Sequence, residues 1–200
     1  MSARILPLAT VAGHGVVLDP IMGEDALREL APVLRRPEVF AGGWGGGLAG
    51  LPADDEAFVA FLAGWLPAFL GGRSFLVRRE EDEAVVGTTS LGHVDRVREV
   101  CEIGWTAYIP ETWGTTVNPA CKLLLLDHAF GQGYEKVVLN VDNLNERSLA
   151  AVAKLGATRE GVLRRDRPRP DGTWRDTVTH SILKSEFAEI RAALAARLDG

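Results

Sequence analysis

The sequence predicts an α/β (α+β) fold, one domain in which a mixed, mostly antiparallel central sheet is flanked by helices. Three observations predict it. Apolar residues recur at helical spacing in two segments before residue 70, and strand-like runs joined by short polar turns continue to about residue 110. The rest of the chain alternates helix and strand. A length of 200 residues suits a single domain over 1–200, large enough to bury a core without staples.

Val16, Val17 and Leu18 form a short first strand, ended by Asp19-Pro20. A helix over 24–34 follows, with Ala26, Leu27, Leu30, Ala31 and Leu34 on one face; Pro32 kinks it and Pro37 stops it. The stretch AGGWGGG at 41–47 is too rich in glycine for a regular element. It lacks both G-x-G-x-x-G after a strand and a GK[ST] ending, so it reads as a flexible substrate-side loop in preference to a phosphate cradle. Trp44 within it is either a hinge anchor or a ligand wall. A second helix over 54–70 is capped by Asp54 or Asp55, and its stripe of Phe58, Phe61, Leu62, Trp65 and Phe69 reads as core. Pro67 loosens its last turn.

Strands at 75–77, 84–91 and 100–110 are antiparallel neighbours, and the acidic run 80–83 is a solvated turn. From Gly104 to Phe130 the chain starts as a strand, breaks in a loop at 113–116 and resumes as an apolar helix. EKVVLNVD at 135–142 has the continuous apolar centre of a strand covered on both faces. Residues 145–155 form a helix ended by Gly156. Strands at 158–165 and 176–183 flank a polar loop with a Pro-Asp-Gly turn, and 185–198 is a last amphipathic helix.

Composition narrows the function. A formal net charge of −5 offers no positive field for nucleic acid or an anionic membrane, so neither is expected as a partner. No signal peptide is visible in MSARILPLATVAGHG, no run approaches the ~20 apolar residues of a membrane span, and the expected location is cytoplasmic. Cys101 and Cys121 lack metal-ligand spacing and read as buried thiols; no metal is expected.

The run IGWTAYIPETWGT, followed by Asn143-Leu144-Asn145-Glu146-Arg147-Ser148, Lys154-Leu155-Gly156-Ala157 and Glu160-Gly161, resembles the GNAT superfamily of N-acetyltransferases. Within it the nearest branch is that of the ribosomal-protein N-terminal acetyltransferases. The resemblance covers about 74–186 well and the N-terminal helices loosely. It implies a GNAT-like domain with splayed central strands, acetyl-CoA as acyl-donor cosubstrate, and direct attack of an amine on the thioester. A splayed strand leaves backbone groups that need a partner. The pantetheine arm would supply it along Ala107, Tyr108 and Ile109, like an added strand diverging from 135–142.

The next loop would meet the pyrophosphate, because a helix N-terminus carries orphan N–H groups and partial positive charge. The family pattern there is Gln or Arg, two residues, then Gly-x-Gly or Gly-x-Ala. Here Glu111 stands near the basic position and Trp113-Gly114-Thr115-Thr116 keeps only the first glycine. Thr116 adopts positive φ less cheaply than glycine, so strain or a different path is expected. Thr115, Thr116 and Asn118 offer side-chain donors, Pro119 fits a first helical turn, and Lys122 could balance phosphate charge. The segment Thr115-Thr116-Val117-Asn118 also reads simply as a helix cap.

By position, Asn145 would hydrogen-bond the pantetheine arm and Ser148 would donate to the leaving thiolate. Ala150, Ala151, Val152 and Ala153 fill the places where many members carry a tyrosine. Glu102 and Asp142 are the candidate bases, each through water and with burial raising its pKa, or else sheet-end charges. Glu160 could pair with Arg164. The acceptor is either a protein or peptide N-terminus or a small amine, met by Trp44 and Trp65. A catalytically weak CoA-binding regulatory module is the alternative reading. The oligomeric state stays open, a homodimer included.

Overall fold

The structure, a computed structural model, describes residues 3–4 and 9–199; the N-terminal stretch read for a signal peptide lies partly outside them. Among the described residues, one sheet of eight strands runs in the order β1-β2-β3-β4-β5-β6-β8-β7. These are β1 (Val11–Gly13), β2 (Val16–Pro20), β3 (Arg73–Arg79), β4 (Val85–Asp95), β5 (Val100–Tyr108), β6 (Lys136–Asp142), β7 (Thr158–Pro168) and β8 (Trp174–Leu183). Every neighbouring pair is antiparallel except β5 and β6.

The β1 strand is absent from the sequence reading. It exists because His14 and Gly15 both take positive φ, at 55° and 77°, making the two-residue turn that matches strand twist. The helices are α1 (Glu24–Leu34), α2 (Pro37–Ala41), α3 (Asp55–Trp65), α4 (Val117–Gly131), α5 (Glu146–Leu155) and α6 (Phe187–Leu198). Pro37 does not merely stop α1; it opens α2 at a position where a missing N–H costs nothing. Asp54 caps α3 by accepting from Ala57 N at 2.8 Å. The helix ends at Trp65, short of residue 70, because Pro67 starts a separate short turn.

Two apolar layers cover the sheet. Leu18, Phe75, Val77, Cys101 and Ile103 pack in one cluster with α4 and α6, while Leu76 and Ala107 pack in the other with α1, α2 and α3. Leu125 and Leu126 of α4 are almost wholly buried, each contributing about 2 kcal/mol of apolar transfer. Glu160 does not pair with Arg164. It lies across β7–β8–β6, bound by Lys136 and by the Ser181 hydroxyl.

The feature that positions a site is the parting of β5 from β6. They pair only at Val100↔Lys136, Cys101↔Val137 and Glu102↔Val138, although β5 continues to Tyr108 and β6 to Asp142. On their outer sides both remain laddered, β5 to β4 and β6 to β8. Between Thr88↔Ala107 and Ser90↔Gly104 the β5 strand carries one extra residue, with Trp105 at φ 52°. Such a bulge bends its strand, here beside the parting.

Candidate active site

The diverging strands open a cleft of about 630 Å³. Its walls are β5 from Glu102 to Tyr108, β6 from Leu139 to Asp142, the loop before α4, the start of α5 and the β7–β8 hairpin. Ala107 and Tyr108 line it, but Ile109 does not. The Ile109 amide donates to Val86 O at 2.9 Å, so this residue faces β4 and the expectation for it is corrected. The Tyr108 carbonyl is occupied by the Trp113 indole N–H at 3.0 Å, which fixes the loop against the strand end.

Trp113, Gly114, Thr115 and Asn118 also line the cleft. Thr116 and Val117 turn instead toward a shallower depression beside His14 and Arg79, a second correction. The expected strain at Thr116 is absent: it sits at φ −74°, and the left-handed step falls on Gly114 at φ 80°. Thr115 Oγ1 donates to Thr112 O at 2.7 Å and accepts from Val117 N at 3.4 Å. The amides of Gly114, Thr116 and Asn118 find no partner among the described residues. Orphan donors at a helix start suit an anion. Glu111, out of place in a phosphate loop by sequence, is paired with Arg36 at 3.1 Å.

Arg147, which sequence reasoning passed over, stacks its guanidinium on the Trp113 ring at 3.6 Å from the centroid. No carboxylate pairs with it among the described residues, and desolvation lowers its pKa. It reaches this place because Gly42 has no side chain; a Cβ there would lie 2.8 Å from Nη2. Asn145 caps α5, its Oδ1 accepting from Ser148 N at 3.0 Å, and both residues line the cleft. Cap and ligand-facing roles therefore coincide in geometry.

Lys122 lines the cleft too, but not at the phosphate loop. Its ammonium is buried and donates to Thr106 Oγ1 in the β5 bulge at 2.9 Å. Burial lowers its pKa to about 8. The expectation that it balances phosphate charge is corrected: its ammonium is held by Thr106 on β5.

On the other wall, Trp44 is packed in place. It meets Trp65 edge-on at 5.0 Å and Phe40 at 5.1 Å, and its indole N–H donates to Trp105 O at 3.4 Å. Two of the glycines around it are closed over: a Cβ on Gly45 would lie 2.7 Å from Phe40, and one on Gly46 2.7 Å from Pro170, while Gly47 borders open space. Residues 41–47 thus form a tight, left-handed wall instead of a flexible loop.

Glu102 stands where β5 and β6 part, buried, and faces this wall. Its Oε2 lies 2.7 Å from His93 Nδ1 and accepts from Asn140 Nδ2 at 2.9 Å. Thr179 donates to Asn140 Oδ1 at 2.9 Å and sets that amide's orientation. His93 takes φ 44° at an irregularity between β4 and β5, and its ring meets Trp105 edge-on at 5.1 Å. The hydrogen bond to Glu102 raises the His93 pKa against the opposing effect of burial. His93 was missed because its spacing from Glu102 signals nothing; only the strand pairing brings them together.

Asp142 does not suit a base. Burial pushes its pKa up, but Arg169, bonded to both oxygens at 2.8 and 3.0 Å, and the Leu144 amide outweigh it and hold the carboxyl below its usual value. Among the described residues no cluster of His, Cys, Asp or Glu could hold a metal ion, and no helix is long and apolar enough to cross a membrane.

Comparison with known proteins agrees with this architecture. A family model described as acetyltransferase (GNAT) domain matches residues 16–158. No curated protein matches the chain. A solved structure described provisionally as an acetyltransferase is 36% identical over 97% of this chain and 95% of its own, with a TM-score of 0.83. Another so described, from T. thermophilus, is 35% identical over 94% and 96%, with a TM-score of 0.80. Mycobacterium smegmatis RimJ, in complex with CoA-disulfide, shares the fold at 21% identity over 94% and 91%, with a TM-score of 0.75.

Proposed function

Because the chain belongs to the acetyltransferase (GNAT) family of acetyl-CoA-dependent enzymes, we propose that it moves an acetyl group directly to a primary amine held in the cleft beside Trp105 and the Glu102–His93 pair. The observation that carries this reading is the end of β5–β6 pairing at Glu102, which sets a hydrogen-bonded acid–imidazole pair beside unpaired strand backbone. The unpartnered β5 edge, the orphan amides of Gly114 and Asn118 and the unpaired Arg147 fit the amide arm and phosphates of a CoA ester. RimJ, which shares the fold, is in complex with CoA-disulfide, which supports a CoA ester as the ligand.

Acetyl-CoA supplies the thioester. The incoming ammonium loses a proton to His93, whose imidazolium is stabilised by Glu102. The freed amine attacks the carbonyl carbon, the C–S bond breaks as the carbonyl re-forms, and the second proton the nitrogen sheds on becoming an amide is relayed through the Ser148 hydroxyl, or water it orders, to the departing thiolate. The Ser148 hydroxyl has no partner among the described residues and faces the cleft, which leaves it available to donate. Turnover is favoured over a purely regulatory role because Thr116, the departure that suggested lost activity, carries no backbone strain. The proposal places the enzyme in the cytoplasm, and assigns any homodimer contact to edge strand β7, where Val162 and Leu163 are 40% and 55% exposed.

The test is release of free CoA thiol from acetyl-CoA with a panel of peptide N-termini and small amines. Saturable release dependent on the amine is expected. Binding of acetyl-CoA with no amine-dependent release from any acceptor would contradict the reading.

A further inference from the structure

The acceptor side of the cleft is not acidic, despite the chain's net negative charge. Three arginines from the β7–β8 hairpin line it: Arg167, Arg169 and Arg175. Their situations differ. Arg169 is saturated, bonded to Asp142, Asn143, Thr173 and the Trp174 carbonyl. Arg167 and Arg175 are cross-strand partners in the hairpin, two like charges directly opposite. Each is held by Nε alone. Arg167 Nε donates to Asp166 at 2.9 Å, and Arg175 Nε donates to Thr177 Oγ1 at 2.8 Å, which in turn donates to Asp166.

The terminal nitrogens of both guanidinium groups have no partner among the described residues, and no carboxylate pairs with Arg175. A partly buried guanidinium whose terminal nitrogens lack hydrogen-bond partners is completed by an anion that supplies them. Fixing Nε and presenting Nη1 and Nη2 is the arrangement that reads a planar carboxylate with two hydrogen bonds. Burial and the neighbouring Arg167 lower the Arg175 pKa while Asp142, Asp166 and Glu102 oppose them, and Arg167 opposes protonation of His93, so the arginines share one electrostatic neighbourhood with the proposed proton-accepting pair. Trp105, Trp65 and Phe61 line the same cleft.

We infer that the acceptor is a small amine carrying a carboxylate near its amino group and an apolar body, an aromatic amino acid in chemical class, with Arg175 and Arg167 binding the carboxylate. This rests on the acetyl-transfer reading and deepens it by naming the acceptor's second functional group. It also separates the free amino acid from a peptide N-terminus, whose nearest neighbour is a neutral amide.

The experiment compares kcat/KM for phenylalanine, phenethylamine and the dipeptide Phe-Gly, with CoA thiol release as readout, in the parent, Arg175→Gln and Arg175→Lys. In the parent, phenylalanine is expected to exceed the other two by roughly 10- to 100-fold, the range two charge-assisted hydrogen bonds provide. In Arg175→Gln the ratio should collapse toward one, and Arg175→Lys should restore only part of it, because the ammonium lacks the fork. Thermal melting confirms that each variant is folded. Efficient release with phenethylamine or Phe-Gly and no preference for phenylalanine would overturn the carboxylate site while acetyl transfer stands. An unchanged ratio in folded Arg175→Gln would do the same. No release from any amine would overturn acetyl transfer and this inference together.

Discussion

His93 Nδ1 lies 2.7 Å from Glu102 Oε2 at the point where β5 and β6 part. Since the hydrogen bond to Glu102 raises the His93 pKa, the imidazolium persists to higher pH than in an isolated histidine. The stabilisation this pair gives the folded state is fully present below the unfolded histidine's pKa and is lost as pH rises through the folded value. An NMR titration of the His93 ring should show a raised pKa in the parent and a lower one in Glu102→Gln. Identical titrations in the two proteins would mean that the contact does not govern the imidazole.

Arg147 stacks on Trp113 without a counter-ion, beside the orphan amides at the start of α4. Arg147→Ala should weaken acetyl-CoA binding by about 10-fold, roughly one charge-assisted hydrogen bond to a phosphate. The effect should shrink with added salt, as exposed charge pairs do. Calorimetric titration at two salt concentrations measures both.

Lys122 carries a pKa lowered from 10.5 to about 8 by burial. The unfolded chain therefore binds more protons between those values, so stability should rise with pH across that window. At neutral pH the penalty is on the order of 3 kcal/mol, an upper figure for a group this buried. Lys122→Met should raise Tm at pH 7 and flatten the stability profile between pH 8 and 10. Chemical denaturation over that range tests it, and a loss of stability at pH 7 would show that the Thr106 hydrogen bond outweighs desolvation.

Trp44 is 8% exposed and meets Phe40, Phe58, Phe61 and Trp65. Trp44→Ala should cost about 3 kcal/mol through the cavity it leaves, lowering Tm by roughly 10 °C. A variant altered only in amine KM, with Tm unchanged, would restore the mobile-wall interpretation that the glycine content suggests.

These cases mark what the sequence could and could not convey. The elements from Arg73 to Leu183 were legible because period-two runs, Gly156 and the Pro-Asp-Gly turn each have a local physical cause. Asn145 and Ser148, singled out through a family resemblance, lie together in the cleft. The interpretation failed where side-chain direction decides: Lys122 bonds Thr106 on β5, Ile109 turns to β4, and Asp142 is taken by an arginine 27 residues away. The glycines at 42–47 looked mobile, yet Gly42, Gly45 and Gly46 pack against Arg147, Phe40 and Pro170, contacts no local pattern announces. His93 gained meaning only from the β4–β5 register.

The most direct test of the account is Glu102→Gln, measured for acetyl-CoA affinity and for amine-dependent thiol release on the same preparation. Glutamine keeps the size and an acceptor for Asn140 but cannot stabilise the imidazolium that forms as His93 takes the proton. The account predicts a Kd for acetyl-CoA within about twofold of the parent and a kcat lower by roughly 100-fold, the scale of general-base assistance. Unchanged kcat in the folded variant would contradict it and remove the Glu102–His93 pair from the chemistry.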